Sequence, residues 1–378
     1  MNTRRDSLTY LDANASEPLR AQALTAMVSA AGVVGNPSSV HRAGRAARAV
    51  LETAREDLAT LFGVAAENCV LTSGGTEANV LAVTGQAQGR RVLVGATEHD
   101  AVRGAVRAQV VPVRPDGVLE HGALERMLEA DGGTPALVCV MLANNETGVI
   151  NPVREIAALC HAHGALVHVD AVQAAGRIPF SIGELGADSI AISGHKFGGP
   201  KGAGALLLAG SRFHALTPLL AGGGQEQGRR GGTPALPAIA GMAAAARMAV
   251  SDMAQQAGRL ATWRDRIEAA AVAAGAQVCG ESAPRLANTT SLLLPGRRAQ
   301  TQLIALDMAG YCVSAGSACS SGKVTRSHVL DAMGFGDDAG CAIRVSLPWS
   351  VTQGQVDGFI AAYTAMAARL PALQAGAA

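Results

Sequence analysis

Between residues 69 and 209 the chain alternates short apolar runs with longer amphipathic stretches. CVLT, RVLVG, ALVCVML, ALVHV, SIAIS and AGALLLA each have the length of a buried strand. Segments such as NPVREIAALCHAHG lie between most of them and read as helices. Strands apolar on both faces and separated by helices predict a mostly parallel sheet covered on both sides, an α/β architecture. Upstream, Ala47, Val50, Leu51, Ala54, Leu58 and Leu61 fall on one helical face, with arginines and acids opposite. Ser38 or Ser39 is the expected cap of that helix and Gly63 its stop. A long Ala-rich helix is predicted from about Leu236 to Ala274. The rhythm then changes. NTTSLLLP and AIRVSL read as strands, and the stretches around Gln300–Ala309 and Ser327–Met333 as short helices. This predicts a smaller α+β unit, with a boundary near residue 255.

Polar clusters sit where the strands end. SGGTE follows CVLT, TEHD follows RVLVG, NNETG follows VCVML, DAVQ follows LVHV, and SGHK follows SIAI. In open α/β sheets ligands bind beyond the carboxyl ends of the strands. Polar clusters at so many strand exits therefore point to one shared site.

Composition narrows the classes. With 49% hydrophobic and 16% charged residues the chain can bury a large core. A net charge of +1 gives no footprint for nucleic acid or an anionic membrane. The longest apolar run, near Pro234–Val250, contains Arg247 and reads as a packed helix rather than a membrane span. MNTRRDSLTY has no apolar run behind its arginines, so no secretory leader is expected. Seven scattered cysteines without a CxxC pair suggest neither a disulfide framework nor a thiolate metal site, and a reducing, cytoplasmic setting fits them.

The clusters carry chemistry of different strength. SGGTE opens a helix after a strand. Gly75 permits close backbone approach, and Thr76 adds a hydroxyl to the amides of the helix start, a phosphate-binding arrangement. By itself it is equally a capped turn, and it matches neither GxGxxG nor GxxxxGK. Asp170 ends an apolar strand and needs a partner, with Gln173 three residues on. The chain has three lysines, Lys196, Lys201 and Lys323, while arginine fills most cationic surface roles. A lysine at a strand exit can form a Schiff base, which arginine cannot. Ser193 and His195 flank Lys196 as further phosphate-binding types. His99 offers a flat ring and a proton relay. His161, His163 and His168 look superficially like a metal set. A helix end and a strand alternation explain them better, so no metal site is expected. GGGQEQGRRGGTP is expected to be a mobile or ligand-approaching loop, with Thr233 available to an anion. Arg344, on a strand among apolar residues, needs a carboxylate from protein or substrate. A phosphate-binding turn, an acid, a Schiff-base lysine and a stacking histidine together describe pyridoxal phosphate. Finally, SAGSACSSGK sets Cys319 in a run with little packing volume, where a sulfur that must move would sit.

The strings YLDANAS, GNPSSVHRAG, TSGGTEAN, EHDAV, NNETG, HVDAVQAAG, SGHKFGGPKGAGAL, GGGQEQGRRGGT, SAGSACSSG and IRVSL resemble those of the cysteine desulfurases. These are pyridoxal-phosphate enzymes of fold type I in the class V aminotransferase group. The likeness spans roughly residues 10–350, and the SGSAC run followed by HVL is similar to the long-loop subgroup. It implies a large domain over 14–255 with a mostly parallel seven-stranded sheet between helices. A smaller α+β domain would span 256–378, with residues 1–13 packed on it. Lys196 would hold the cofactor, His99 would stack on its ring, Asp170 would pair with the ring nitrogen and Gln173 would bond the ring hydroxyl. Gly75, Thr76, Ser193 and His195 would hold the phosphate, joined by Thr233 from the second subunit of a homodimer. Asn145 and Arg344 would face the substrate, L-cysteine. Cys319 would be the nucleophile that leaves with a persulfide, for delivery to an iron–sulfur scaffold or another sulfur acceptor. Gly198, Gly232 and Ala235 depart from the usual Tyr, Ser and Asn, which touches the inter-subunit phosphate contact but removes no chemical role. The rival readings are a selenocysteine lyase or another class V transaminase on the same fold.

Overall fold

The computed structural model describes residues 8–130, 134–210, 216–316 and 326–370. The chain opens on β1 (Thr9–Tyr10), α1 (Ala21–Ala31) and α2 (Arg42–Phe62). The central sheet follows, from β2 (Cys69–Thr72), β3 (Arg91–Gly95), β4 (Gln109–Val111), β5 (Ala136–Met141), β6 (Leu166–Asp170), β7 (Ser189–Ser193) and β8 (Gly204–Leu208). Helices α3 (Gly75–Gln86), α4 (Asp100–Arg103), α5 (His121–Glu129), α6 (Val153–Ala162) and α7 (Ile182–Leu185) connect them. The strand order is β2-β8-β7-β6-β5-β3-β4. β8 runs antiparallel to both neighbours, and the other pairings are parallel. The expected seven-stranded, mostly parallel sheet is therefore present. Its apolar runs are the predicted ones except β4, an edge strand in which Val111 alone is buried, too weak a signal to stand out in sequence.

Two local expectations are corrected. Helix α2 is capped by His41, whose Nδ1 accepts from Gly44 N at 3.2 Å, and not by Ser38 or Ser39. Those serines belong to a turn organised by Asn36, which takes both of their amide hydrogens on its Oδ1 and carbonyl oxygen. Gly63 ends the helix as expected, at φ 77°. The glycine-rich loop before Thr233 is anchored rather than free. Glu226 is buried against Arg55, accepting from its two terminal nitrogens at 2.5 and 2.8 Å, and it also accepts from Leu71 N at 2.9 Å. Charge, not apolar volume, pins this loop, and glycine content alone conceals that.

Helix α8 (Leu236–Ala273) matches its prediction and crosses the expected boundary. Leu236, Ile239 and Met242 pack into the core of the large sheet. Leu260, Ile267 and Ala271 pack into a second core with Leu292, Ile343 and Phe359. That second unit contains β9 (Gln277–Val278), β10 (Thr289–Leu293), α9 (Ala299–Met308), β11 (Tyr311–Cys312), α10 (His328–Ala332), β12 (Ala342–Ser346) and α11 (Gln353–Arg369). Its antiparallel sheet has the order β12-β10-β9, while β1 pairs in parallel with β11 and Leu11 joins the second core. The residues after β1 thus run from the small unit into the cleft between it and the large sheet. No helix among the described residues is long and apolar enough to cross a membrane.

Candidate active site

Strands β5, β6 and β7 are parallel neighbours, so their carboxyl ends open on the same edge of the sheet. Beyond that edge lies a cavity of about 550 Å3. Gly75 and Thr76 from the start of α3, His99 from the end of β3, and Asn145 after β5 line it. Asp170 at the end of β6 and Gln173 beyond it, Ser193 at the end of β7 with His195 and Lys196 beyond it, and Arg344 from β12 complete the predicted set on its wall. Thr233 is not among them in its own chain. It lines a neighbouring cleft with Arg230 and Glu226. Cys319 lies outside the described residues.

Asp170 is buried. Its carboxylate accepts from Asn79 Nδ2 at 2.8 Å and from Val172 N at 2.9 Å. Burial pushes its pKa up, opposed by the positive fields of His99 and Lys196 and by these two hydrogen bonds. Glu98 lies close by, also buried, and burial with the Asp170 charge raises it well above the carboxylate range. Asp170 remains the group able to answer a cation in the cavity.

Gly75 is needed for its lack of a side chain. A Cβ there would meet Val172 Cγ2 at 2.6 Å and Ser193 Cβ at 3.1 Å, filling the cradle at the helix start. His99 caps α4, and its Nδ1 accepts from Ala101 N at 3.0 Å. The neutral ring consequently carries its proton on Nε2. Lys196 ends the 3₁₀ turn after β7, and its Nζ donates to Asn14 O at 2.6 Å and Ala15 O at 3.2 Å. His195 is pushed down to about 4 by burial and by Lys196, Lys201 and Arg177, so it stands neutral beside them. Gln173 donates from Nε2 to Asn14 O at 3.0 Å, and its Oε1 accepts from Arg177. Arg344 is held by Asp12 Oδ1 at 2.6 Å and Asn145 O at 3.0 Å, while its buried Nε has no partner among the described residues.

Sequence reasoning missed Asn14, Asp12, Asn79 and Glu98. Asn14 and Asp12 sit in the quoted YLDANAS string, but only folding brings that string between the two units. Asn79 lies one helical turn beyond Gly75 on α3, so its spacing was visible and its partner was not.

The buried ring of His168 touches Asn79 at Nε2, 2.9 Å from Oδ1. Burial lowers its pKa from 6.5 to about 3. The folded protein thus resists protonating it. This contribution to stability is complete above pH 6.5 and is lost as pH falls toward 3, by about 1.4 kcal/mol per pH unit. The urea midpoint is expected to drop across that window. His168→Gln should flatten the difference between neutral and acidic denaturation curves relative to the wild type.

A family model for class V aminotransferases matches residues 9–359. The chain belongs to this family. As a class V aminotransferase it is 39% identical over 369 residues to a cysteine desulfurase of Rhodobacter capsulatus, with 93% of this chain and 94% of that protein covered. It is 38% identical over 373 residues to an IscS-like cysteine desulfurase of Mycobacterium tuberculosis, with 93% and 94% covered. Among solved structures, a NifS-like protein from Rickettsia africae superposes with a TM-score of 0.87 at 32% identity, covering 95% of this chain and 99% of that one. The structure of SspA in complex with cysteine superposes with a TM-score of 0.77 at 28% identity, covering 90% and 99%. These likenesses place the chain with the cysteine desulfurases of the class V family.

Proposed function

We propose that this chain is a pyridoxal-phosphate-dependent cysteine desulfurase that converts L-cysteine to L-alanine and leaves the sulfur as a persulfide on Cys319. One observation carries the reading: Lys196, Asp170, His99, Gly75 and Arg344, from different parts of the chain, meet on a single cavity.

The residues present fit the cofactor. Asp170 is a buried anion bonded by neutral donors, suited to a protonated ring nitrogen. The start of α3, widened by the missing Cβ at Gly75, suits a phosphate, with Thr76, Ser193 and neutral His195 around it. Lys196 would supply the amine that links the cofactor, Gln173 would bond the ring hydroxyl and His99 would stack on the ring. When bound, pyridoxal phosphate supplies an electron-accepting ring that loosens the bonds at the substrate's α and β carbons.

Arg344 orients the substrate through its carboxylate, with Asn145 beside it. Arg344 lines the cavity wall, and its planar guanidinium suits a carboxylate. With the cofactor bound, Lys196 Nζ would be the base that moves the α-proton. His99 donates from Nε2, the nitrogen left protonated by the Ala101 contact. The Cys319 thiolate attacks the substrate sulfur. The Cβ–S bond breaks with its electron pair left on carbon, a new S–S bond forms, and protons returned to carbon complete L-alanine.

The other cysteines support the assignment of Cys319. Burial pushes the Cys69, Cys160 and Cys279 thiols up to about 12 and Cys139 well above its usual range, and Cys312 and Cys341 are raised as well. Thiols so raised carry little thiolate at neutral pH. The chain acts as a cytoplasmic homodimer, in which Thr233 of one copy reaches the phosphate held by the other. Its place in a separate cleft beside the main cavity supports that role. The persulfide passes to an acceptor protein, an iron–sulfur scaffold in the first instance.

The test is Cys319→Ala in the cofactor-loaded protein. Visible absorbance should be retained, while alanine release and protein-bound persulfide fall on the order of 10³-fold or more. Wild-type alanine production by that variant would refute the nucleophile assignment. Keto-acid-dependent amino transfer in its place would favour a transaminase.

A further inference from the structure

Behind Asp170 runs a line of buried polar groups that the reaction itself does not use. Asn79 Nδ2 donates to Asp170 Oδ2 at 2.8 Å, which leaves Asn79 Oδ1 as an acceptor. His168 Nε2 lies 2.9 Å from that oxygen, so Nε2 carries the ring proton. Nδ1 of a neutral ring is then an acceptor, and Ser189 Oγ, 2.9 Å away, must donate to it. Ser189 Oγ in turn accepts from Gln86 Nε2 at 2.8 Å. Gln86, Ser189, His168, Asn79 and Asp170 are all buried, so water does not compete for these bonds.

The fold dictates the alignment. His168 and Asp170 alternate on one face of β6, Ser189 is the register partner of His168 on β7, and Asn79 and Gln86 lie two turns apart on α3. The line has one polarity compatible with an anionic Asp170. Turning Asn79 over would set its carbonyl oxygen against the carboxylate and its amide against the Nε2 proton. That reversed state needs a proton on Asp170 and the Nδ1–H form of His168. The other titratable groups facing Asp170 are His99, Lys196 and Glu98, and Cys139 lies beside His168 in register on β5.

We propose that His168 and Ser189 are positioning residues which, through Asn79, fix the direction of hydrogen bonding into Asp170 and thereby keep it a carboxylate beneath the cofactor ring. The inference rests on the cofactor assignment above. Without the line, Asp170 becomes a stronger base and draws the proton off the ring nitrogen. The ring loses its positive charge, and the nitrogen linked to Lys196 then keeps its own proton to higher pH.

Two readouts on the full-length protein test this. The first is ¹⁵N NMR of the histidine side chains with and without pyridoxal phosphate, where His168 should be the Nε2–H tautomer in both. The second is the pH midpoint of the visible chromophore after reconstitution. His168→Phe should raise that midpoint by about one unit and weaken cofactor retention about tenfold. Ser189→Ala should move it the same way by less, and it carries the test if His168→Phe does not fold. His168→Gln, whose amide can still donate to Asn79 Oδ1, should restore the wild-type midpoint. An Nδ1–H tautomer, or a midpoint unmoved in both His168→Phe and Ser189→Ala, overturns the proposal. A wild-type protein that takes up no pyridoxal phosphate overturns the cofactor reading instead, and the proposal with it.

Discussion

Lys196→Ala is expected to abolish the visible chromophore and to lower desulfurase turnover on the order of 10⁴-fold or more, with the protein still folded. Nζ of Lys196 bonds the carbonyls of Asn14 and Ala15 at the cavity wall, and Lys196 belongs to neither hydrophobic core. Its loss therefore removes a reactive amine rather than packing. Lys201 sharpens the experiment, because it lines the same cavity five residues on. A chromophore that survives Lys196→Ala and disappears only when Lys201 is also replaced would move the linkage to Lys201. Absorbance between pH 6 and 9, read alongside alanine release, separates the two lysines.

The second large effect is expected for Asp170→Asn. The change is nearly isosteric and leaves an oxygen to accept from Asn79, but it removes the negative charge facing the cavity. A protonated ring nitrogen then has no counter-ion in a site where burial already disfavours charge. Turnover should fall on the order of 10³-fold, equivalent to about 4 kcal/mol of barrier, with a much smaller change in KM. In the proposed mechanism Arg344, on the other unit of the protein, holds the ground-state substrate, and Asp170→Asn leaves Arg344 untouched. Steady-state kinetics on L-cysteine decide the matter. A loss below about tenfold would mean that Asp170 shapes the pocket without tuning the ring.

Arg344 illustrates a two-sided reading. Its place on an apolar strand demanded a carboxylate, and the sequence left open whether protein or substrate supplies it. In the structure Asp12 supplies one, held in turn by Ser314 Oγ at 2.6 Å. Asp12 was legible as a residue of a quoted string, not as a partner, because 332 positions separate it from Arg344. His168 is the converse case. Strand alternation accounts for its burial, but its tautomer and its link to Asp170 arise only when α3 lies across β6.

The sequence by itself showed every strand of the large sheet except β4, the long helix α8 and about half of the residues on the cavity wall. Those signals are local, in apolar runs of strand length and polar residues at their ends, and local order survives in one dimension. It could not show the cap on α2, the anchoring of the glycine-rich loop or the hydrogen-bond line behind Asp170. Each of these is a pairing between residues far apart in the chain, or a contest between local acceptors for one backbone N–H. Tertiary structure decided them, because the burial that gives such bonds their strength exists only after the strands and helices have closed around them.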